Sequence, residues 1–165
     1  VITETREIST RLVAELTRRG MTIAIAESLT GGLLVAELIA VPGASAVVRG
    51  GVVAYATELK TSLLGVDAVL LAEKSPIDPE VARQMAQGVR WRLGHEGVPA
   101  DVGLATTGVA GPDEQDGHPV GEVWIGVAIG DTVTAHGLNM RGDRAAIRLA
   151  TVSESLLRVM EQLLE

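Results

Sequence analysis

The 165-residue sequence contains no cysteine and no phenylalanine, and its aromatic complement stops at Tyr55, Trp91 and Trp124. The missing cysteine excludes disulfides, thiolate metal ligands and a thiol nucleophile together. Hydrophobic residues still make up 47% of the chain, so the core has to be built from Ala, Val, Leu and Ile. Basic residues are also short: 14 Lys and Arg stand against 21 Asp and Glu, a net charge of −7, which leaves no broad basic face for a nucleic-acid backbone. No signal peptide and no apolar stretch long enough to span a bilayer is visible, so the sequence reads as cytoplasmic, with neither membrane nor nucleic acid among its partners. It opens on Val1 rather than Met, which leaves open both a processed start and the edge of a longer protein.

Several chemical motifs are missing too. No Gly-Lys pair exists to end a P-loop, no G-x-G-x-x-G opens a helix after a strand, and the G-x-S-x-G of a hydrolase nucleophile elbow is absent. His95, His118 and His136 are scattered without metal-ligand spacing, so no metal site is expected.

What is present is a regular alternation of patterns. Ile8, Leu12, Val13 and Leu16 recur at helical spacing and predict an amphipathic helix over Glu4 to Arg19. A β-branched run, Thr22 to Ala26, follows as a strand. Leu33 to Ile39 reads as a buried helix stopped by Val41-Pro42-Gly43, and Val47 to Tyr55 as a second strand carrying a glycine pair. Thr57 to Leu64 predicts a short helix bearing Lys60. Asp78-Pro79 is a strong helix start, and Val81, Met85, Val89 and Leu93 extend it as a core stripe to Gly94 or Gly97.

Asp101 to Thr107 then predicts a strand, and Asp113 to His118 a mobile loop. Glu122–Ile129 and Thr132–Met140 form a hairpin turning at Gly130-Asp131, and a long helix runs from Asp143 to Leu164. Strands alternating with helices, closed by a hairpin, predict a three-layer α/β/α sandwich with a mixed, mostly parallel sheet of about five strands. A chain of this length is expected to form one domain over residues 1–165. Its apolar, aromatic-poor surface is compatible with a homo-oligomer.

The stretch with most chemical content is Ala26-Glu27-Ser28-Leu29-Thr30-Gly31-Gly32, between a strand and a helix. Hydroxyls there sit beside unpaired backbone N–H groups, which can bind an anion or stabilise an oxyanion. The same residues also fit a structural role, Thr30 or Ser28 as a cap and the glycines as room for a close turn. Arg141, Arg144 and Arg148 fall near one face at the start of the last helix, where the macrodipole disfavours cations, so an anion is expected there. The turns after Ala26, Tyr55 and Thr107 are the candidate ligand edge of the sheet.

Taken together, seven segments resemble the CinA C-terminal-domain family, whose stand-alone members are nicotinamide-nucleotide amidohydrolases. Residues 26–32 look like that family's Ala-Glu-Ser-Cys-Thr-Gly-Gly. Pro42-Gly43-Ala44-Ser45, Gly50-Gly51-Val52-Val53-Ala54-Tyr55 with Lys60, Leu63-Leu64-Gly65-Val66, Thr107-Gly108-Val109-Ala110-Gly111-Pro112-Asp113, Pro119-Val120-Gly121 and Gly142-Asp143-Arg144 with Arg148 follow in the family's order.

The resemblance implies deamidation of nicotinamide mononucleotide to nicotinate mononucleotide and ammonia, in pyridine nucleotide salvage, without metal or organic cofactor. By carry-over Ser28 is the nucleophile, Lys60 its general base and Tyr55 their orienting partner. Glu27, Thr30, Gly31, Gly32, Gly51, Thr107, Gly108, Gly111, Arg144 and Arg148 form the candidate substrate site. Backbone N–H groups of Thr30 to Gly32 or Gly50-Gly51 are offered for the oxyanion. The phosphate falls to the arginines, to Thr107 with the turn after it, or to the N-terminus after Thr30; alternatively Arg144 pairs with Glu27.

Three departures stand out: Leu29 for the family's cysteine, Glu114-Gln115-Asp116 with His118 in the loop after Asp113, and Lys74-Ser75-Pro76-Ile77-Asp78 before the next helix. The competing reading is a non-catalytic nucleotide- or partner-binding module associated with competence or damage response. Ser28, Tyr55 and Lys60 occurring together favour the enzyme.

Overall fold

The computed structural model describes residues 2–165; Val1, and with it the manner in which the chain starts, lies outside the described residues. The elements in order are α1 (Ile2–Arg19), β1 (Ile23–Glu27), α2 (Leu33–Ile39), β2 (Val48–Val53), α3 (Thr57–Leu64), α4 (Ala68–Lys74), α5 (Pro79–Arg92), β3 (Val102–Gly108), β4 (Glu122–Ile129), β5 (Thr132–Asn139) and α6 (Arg144–Leu164). The strands form one sheet in the order β2-β1-β3-β4-β5. β1 is parallel to both β2 and β3, whereas β4 is antiparallel to β3 and to β5. Four strands therefore point one way and β4 alone opposes them, the mixed, mostly parallel sheet expected.

The two faces of the sheet are built differently. Ile23, Ile25, Val102, Leu104, Val123, Ile125 and Val127 point to the side covered by α1, α2 and α6, where bulky aliphatic side chains fill the space that phenylalanine would otherwise take. Ala24, Ala26, Ala105 and Ala128 point the other way, towards α3, α4 and α5. On that face a Cβ added to Gly103 or Gly126 would fall 1.9 Å from Ala86 O or 2.1 Å from Ala82 O, so α5 lies directly against the strands. The small-residue face sets a short helix-to-sheet distance, and the opposite face supplies most of the apolar burial.

Three details differ from the sequence-based expectations. Helix α4 is an addition: Asp67 Oδ1 accepts from Val69 N at 2.8 Å and Leu70 N at 3.4 Å, a cap that the shortness of the following apolar run concealed. Strand β2 ends at Val53, two residues early, because Tyr55 has already left the sheet and Ala56 stands at the N-cap of α3. Residues 113–118 end in a tight hairpin rather than a loose loop: Gln115 and His118 exchange backbone hydrogen bonds of 3.1 and 2.8 Å around Asp116 and Gly117, both at positive φ. The expected cap at Asp78 is present, accepting from Glu80 N and Val81 N.

Candidate active site

The chain leaves β1 in one direction to form β2 and returns across the sheet to form β3, so the crevice between the carboxyl ends of β1 and β3 is a topological switch point. The turns after Ala26, Tyr55 and Thr107 meet there around a cleft of about 330 Å³. That volume is near the lower end of the range for small-molecule sites.

Ser28 occupies the floor. Its N–H donates to Thr106 O at 3.1 Å, and Thr30 Oγ1 lies 2.9 Å from Thr106 Oγ1, so two threonine hydroxyls continue the β1–β3 pairing past the last ladder bond. Lys60 reaches the same floor from α3. The residue is 1% exposed, and its ammonium donates to Ser28 Oγ at 3.2 Å and to Ala54 O at 2.8 Å. Burial pushes the Lys60 ammonium from 10.5 down to about 8, with Glu58 pulling weakly the other way. A lysine held in this way gives up its proton at lower pH than a solvated one, with a carbonyl and a serine hydroxyl within hydrogen-bonding distance of its nitrogen.

Glu27 is fully buried and does not meet Arg144. Its Oε2 accepts from Gly32 N at 2.9 Å and Leu34 N at 3.2 Å, and its Oε1 from Val35 N at 2.8 Å. The last residue of β1 thus supplies the negative charge that the start of α2 favours, and this helix end is closed to an external anion.

Arg148 is likewise engaged: its Nε donates to Leu29 O at 2.8 Å and its Nη2 to Thr30 O at 3.4 Å. A Cβ on Gly31 would lie 3.2 Å from that Nη2, which explains the glycine under the guanidinium. The cation at the start of α6 is therefore accommodated by the carbonyls of the Ser28 turn rather than by an anion. Gly51 lies on β2 away from the cleft, where a Cβ would fall 3.0 Å from Val35 Cβ. Glu27, Thr30, Gly31, Gly32 and Arg148 build the turn; Gly51 packs β2 against α2.

Arg144 does line the cleft, with Nη1 on Gly111 O at 2.6 Å and Nη2 on the Tyr55 hydroxyl at 3.2 Å. Tyr55 is 60% exposed and partners Arg144, not Ser28 or Lys60. Thr107 and the Gly108 to Gly111 turn form one wall, with Thr107 Oγ1 donating to Pro76 O at 2.7 Å. Sequence reasoning missed Thr106, the Ala54 carbonyl and Pro76, whose contributions are made by position in the fold. For Thr106 a signal existed, a hydroxyl pair at the end of an otherwise apolar strand. Leu29, at the family's cysteine position, is buried with its side chain in the core, and its N–H, like that of Thr30, has no partner among the described residues. Among the described residues no group of three or more His, Asp or Glu is placed to hold a metal ion, and no helix is long and apolar enough to cross a membrane.

A family profile described as the CinA C-terminal domain matches residues 5–163. A CinA-like protein of Frankia casuarinae is 50% identical over 141 residues, covering 86% of this chain and 31% of that protein. A putative competence-damage inducible protein of Geobacillus kaustophilus is 44% identical over 155 residues, covering 93% of this chain and 36% of its own length. The chain thus spans about a third of these curated relatives. Among solved structures, the competence/damage inducible protein CihA from Agrobacterium tumefaciens superposes with a TM-score of 0.90 at 32% identity, covering 98% of this chain and 96% of that one. The competence damage-inducible protein A (ComA) from Klebsiella pneumoniae gives 0.92 at 30% identity, with 98% of each chain covered.

Proposed function

The chain belongs to the CinA C-terminal-domain family, and on that premise we propose that it is an amidohydrolase that deamidates nicotinamide mononucleotide through Ser28 and Lys60. The observation that carries the reading is the buried Lys60 Nζ, 3.2 Å from Ser28 Oγ at the floor of the cleft. In this mechanism neutral Lys60 takes the Ser28 hydroxyl proton as Oγ adds to the carboxamide carbon. The Leu29 N–H, directly after the nucleophile, receives the oxyanion; a main-chain donor makes the side chain at that position immaterial to the chemistry. Lys60 then passes its proton to the departing nitrogen, ammonia leaves, and a water activated by the same amine releases the nicotinate from Ser28. No metal or organic cofactor takes part in this scheme.

With the start of α2 occupied by Glu27 and Arg148 held by carbonyls, the phosphate falls to Arg144. Its guanidinium is preset by Gly111 O and the Tyr55 hydroxyl beside the 108–111 turn. Tyr55 thereby acts on the substrate's far end rather than on Lys60. Ammonia release from nicotinamide mononucleotide, compared between wild type and Ser28→Ala, tests the reading: release by wild type alone is expected, with the mononucleotide still bound by the variant. Release by both would remove Ser28 as nucleophile. Release by neither, with both folded, would turn the assignment to another small amide or to a binding module.

A further inference from the structure

The short hairpin at residues 113–118 carries one side chain that reaches out in two directions. His118 Nδ1 lies 3.0 Å from Glu122 Oε2 at the start of β4, and Nε2 lies 3.0 Å from Ser75 Oγ on the connection between α4 and α5. Both ends are themselves oriented: Trp124 Nε1 donates to Glu122 Oε1 at 3.2 Å, and Ile77 N donates to Ser75 Oγ at 3.2 Å. With Ile77 donating to Ser75, the Ser75 hydroxyl is free to donate to Nε2, which assigns the neutral ring its proton on Nδ1, facing the carboxylate. Ser75 is kept there against local preference. Its backbone, φ 73° and ψ 169°, lies in a region that glycine adopts readily and serine does not.

The bond between Ser75 and His118 joins two separate walls of the cleft, and Glu122 at the start of β4 anchors the other side of the ring. Ser75 continues into Pro76 and Ile77, which line it, while Asp113, Glu114 and Gln115 of the hairpin line it elsewhere. Ser28 and Lys60 are held by Thr106 and Ala54, and among the described residues none of these four hydrogen-bonds to Ser75, His118 or Glu122. We propose that His118, bonded between Ser75 and Glu122, is a positioning residue that fixes the spacing of these two walls and so sets how tightly the cleft holds its substrate. Its kinetic test rests on the amide-hydrolysis reading above; its structural test does not. The order serine, imidazole, carboxylate is also that of a nucleophile, its base and an orienting group, and covalent labelling separates the two roles.

The experiment compares wild type, His118→Ala, Ser75→Gly and the double variant with nicotinamide mononucleotide as substrate. Each single change is expected to raise KM about 5- to 30-fold, the range for losing one or two hydrogen bonds, with kcat within about twofold. The double variant should be no worse than His118→Ala, because both changes remove the same link. Ser75→Gly relieves the backbone, so its urea midpoint should hold or rise while KM still increases, an outcome that a merely structural role would not produce. A fall in kcat at unchanged KM, additive losses in the double variant, or labelling of Ser75 by a fluorophosphonate would overturn the proposal. If wild type releases no ammonia, the amide reading fails by itself. The link is then read from amide hydrogen exchange at Gln115 and His118, expected to quicken in both single variants; unchanged exchange would refute it.

Discussion

Replacing Lys60 by methionine separates the cost of burying its ammonium from its chemical use. Lowering the group from 10.5 to about 8 through burial corresponds to about 3 kcal/mol of folding free energy. Below about pH 8 both folded and unfolded chains carry the proton, and the whole penalty is present. Between about 8 and 10.5 the unfolded chain keeps a proton that the folded chain has released, so wild-type stability rises with pH; above 10.5 the penalty is gone. Lys60→Met has no such increment. At about pH 7 its relief from burying a charge is offset by loss of the bonds to Ser28 and Ala54, about 1 to 3 kcal/mol together, so the level of stability is a poor readout and the slope is the useful one. Urea unfolding of both proteins from about pH 7 to 10 should show wild type gaining on the variant with rising pH, approaching 3 kcal/mol. In the same range kcat/KM of wild type should rise about tenfold per pH unit below about 8 and level off above it. Parallel stability curves would refute the burial argument, and a kcat/KM profile that is flat through pH 8 would refute the assignment of Lys60 as base.

Glu27→Ala strips the acceptor from three backbone N–H groups at the start of α2 and should cost about 3 to 5 kcal/mol in urea unfolding; a loss under about 1 kcal/mol would show that α2 does not depend on this carboxylate. Arg144→Ala should raise KM for nicotinamide mononucleotide about tenfold or more while leaving the phosphate-free riboside unaffected, and equal weakening of both would remove the phosphate role. Leu29→Cys should cost about 1 to 2 kcal/mol through lost core volume with kcat within about twofold, since the proposed contribution at that position comes from the main chain; a large fall in kcat would argue against the Leu29 N–H as oxyanion donor.

Much of the fold was legible because its signals are local. The Val81, Met85 and Val89 stripe, the Asp78-Pro79 start, the Gly130-Asp131 hairpin and the strand at 102–108 depend on residues within one or two turns of each other. Helix α4 escaped notice because seven residues give too short a period to read, although Asp67 marked its start. The floor of the site was less accessible for a physical reason. On α3, Lys60 stands among Thr57, Glu58, Thr61 and Ser62, a setting in which lysine is ordinarily solvated. Only the approach of α3 to the end of β1, set by the strand order, turns it inward.

The charged residues of the Ser28 turn share a single solution that their sequence spacing did not reveal. Glu27 is satisfied by the backbone N–H groups of residues 32, 34 and 35, Arg148 by the carbonyls of residues 29 and 30, and Lys60 by the carbonyl of residue 54. Each is held by main-chain dipoles from another segment rather than by an opposite charge, so pairing rules based on side-chain sign misassign them, as they did in offering Arg144 to Glu27. This arrangement has a chemical consequence. A carboxylate beside Lys60 would stabilise its proton and raise its pKa, whereas a carbonyl fixes the amine with a weaker preference for the charged form, leaving desolvation to dominate. The carboxylate that does act on Lys60, Glu58, is exposed on α3 and opposes burial only in part, so the amine keeps the lowered pKa that its proposed role as base calls for.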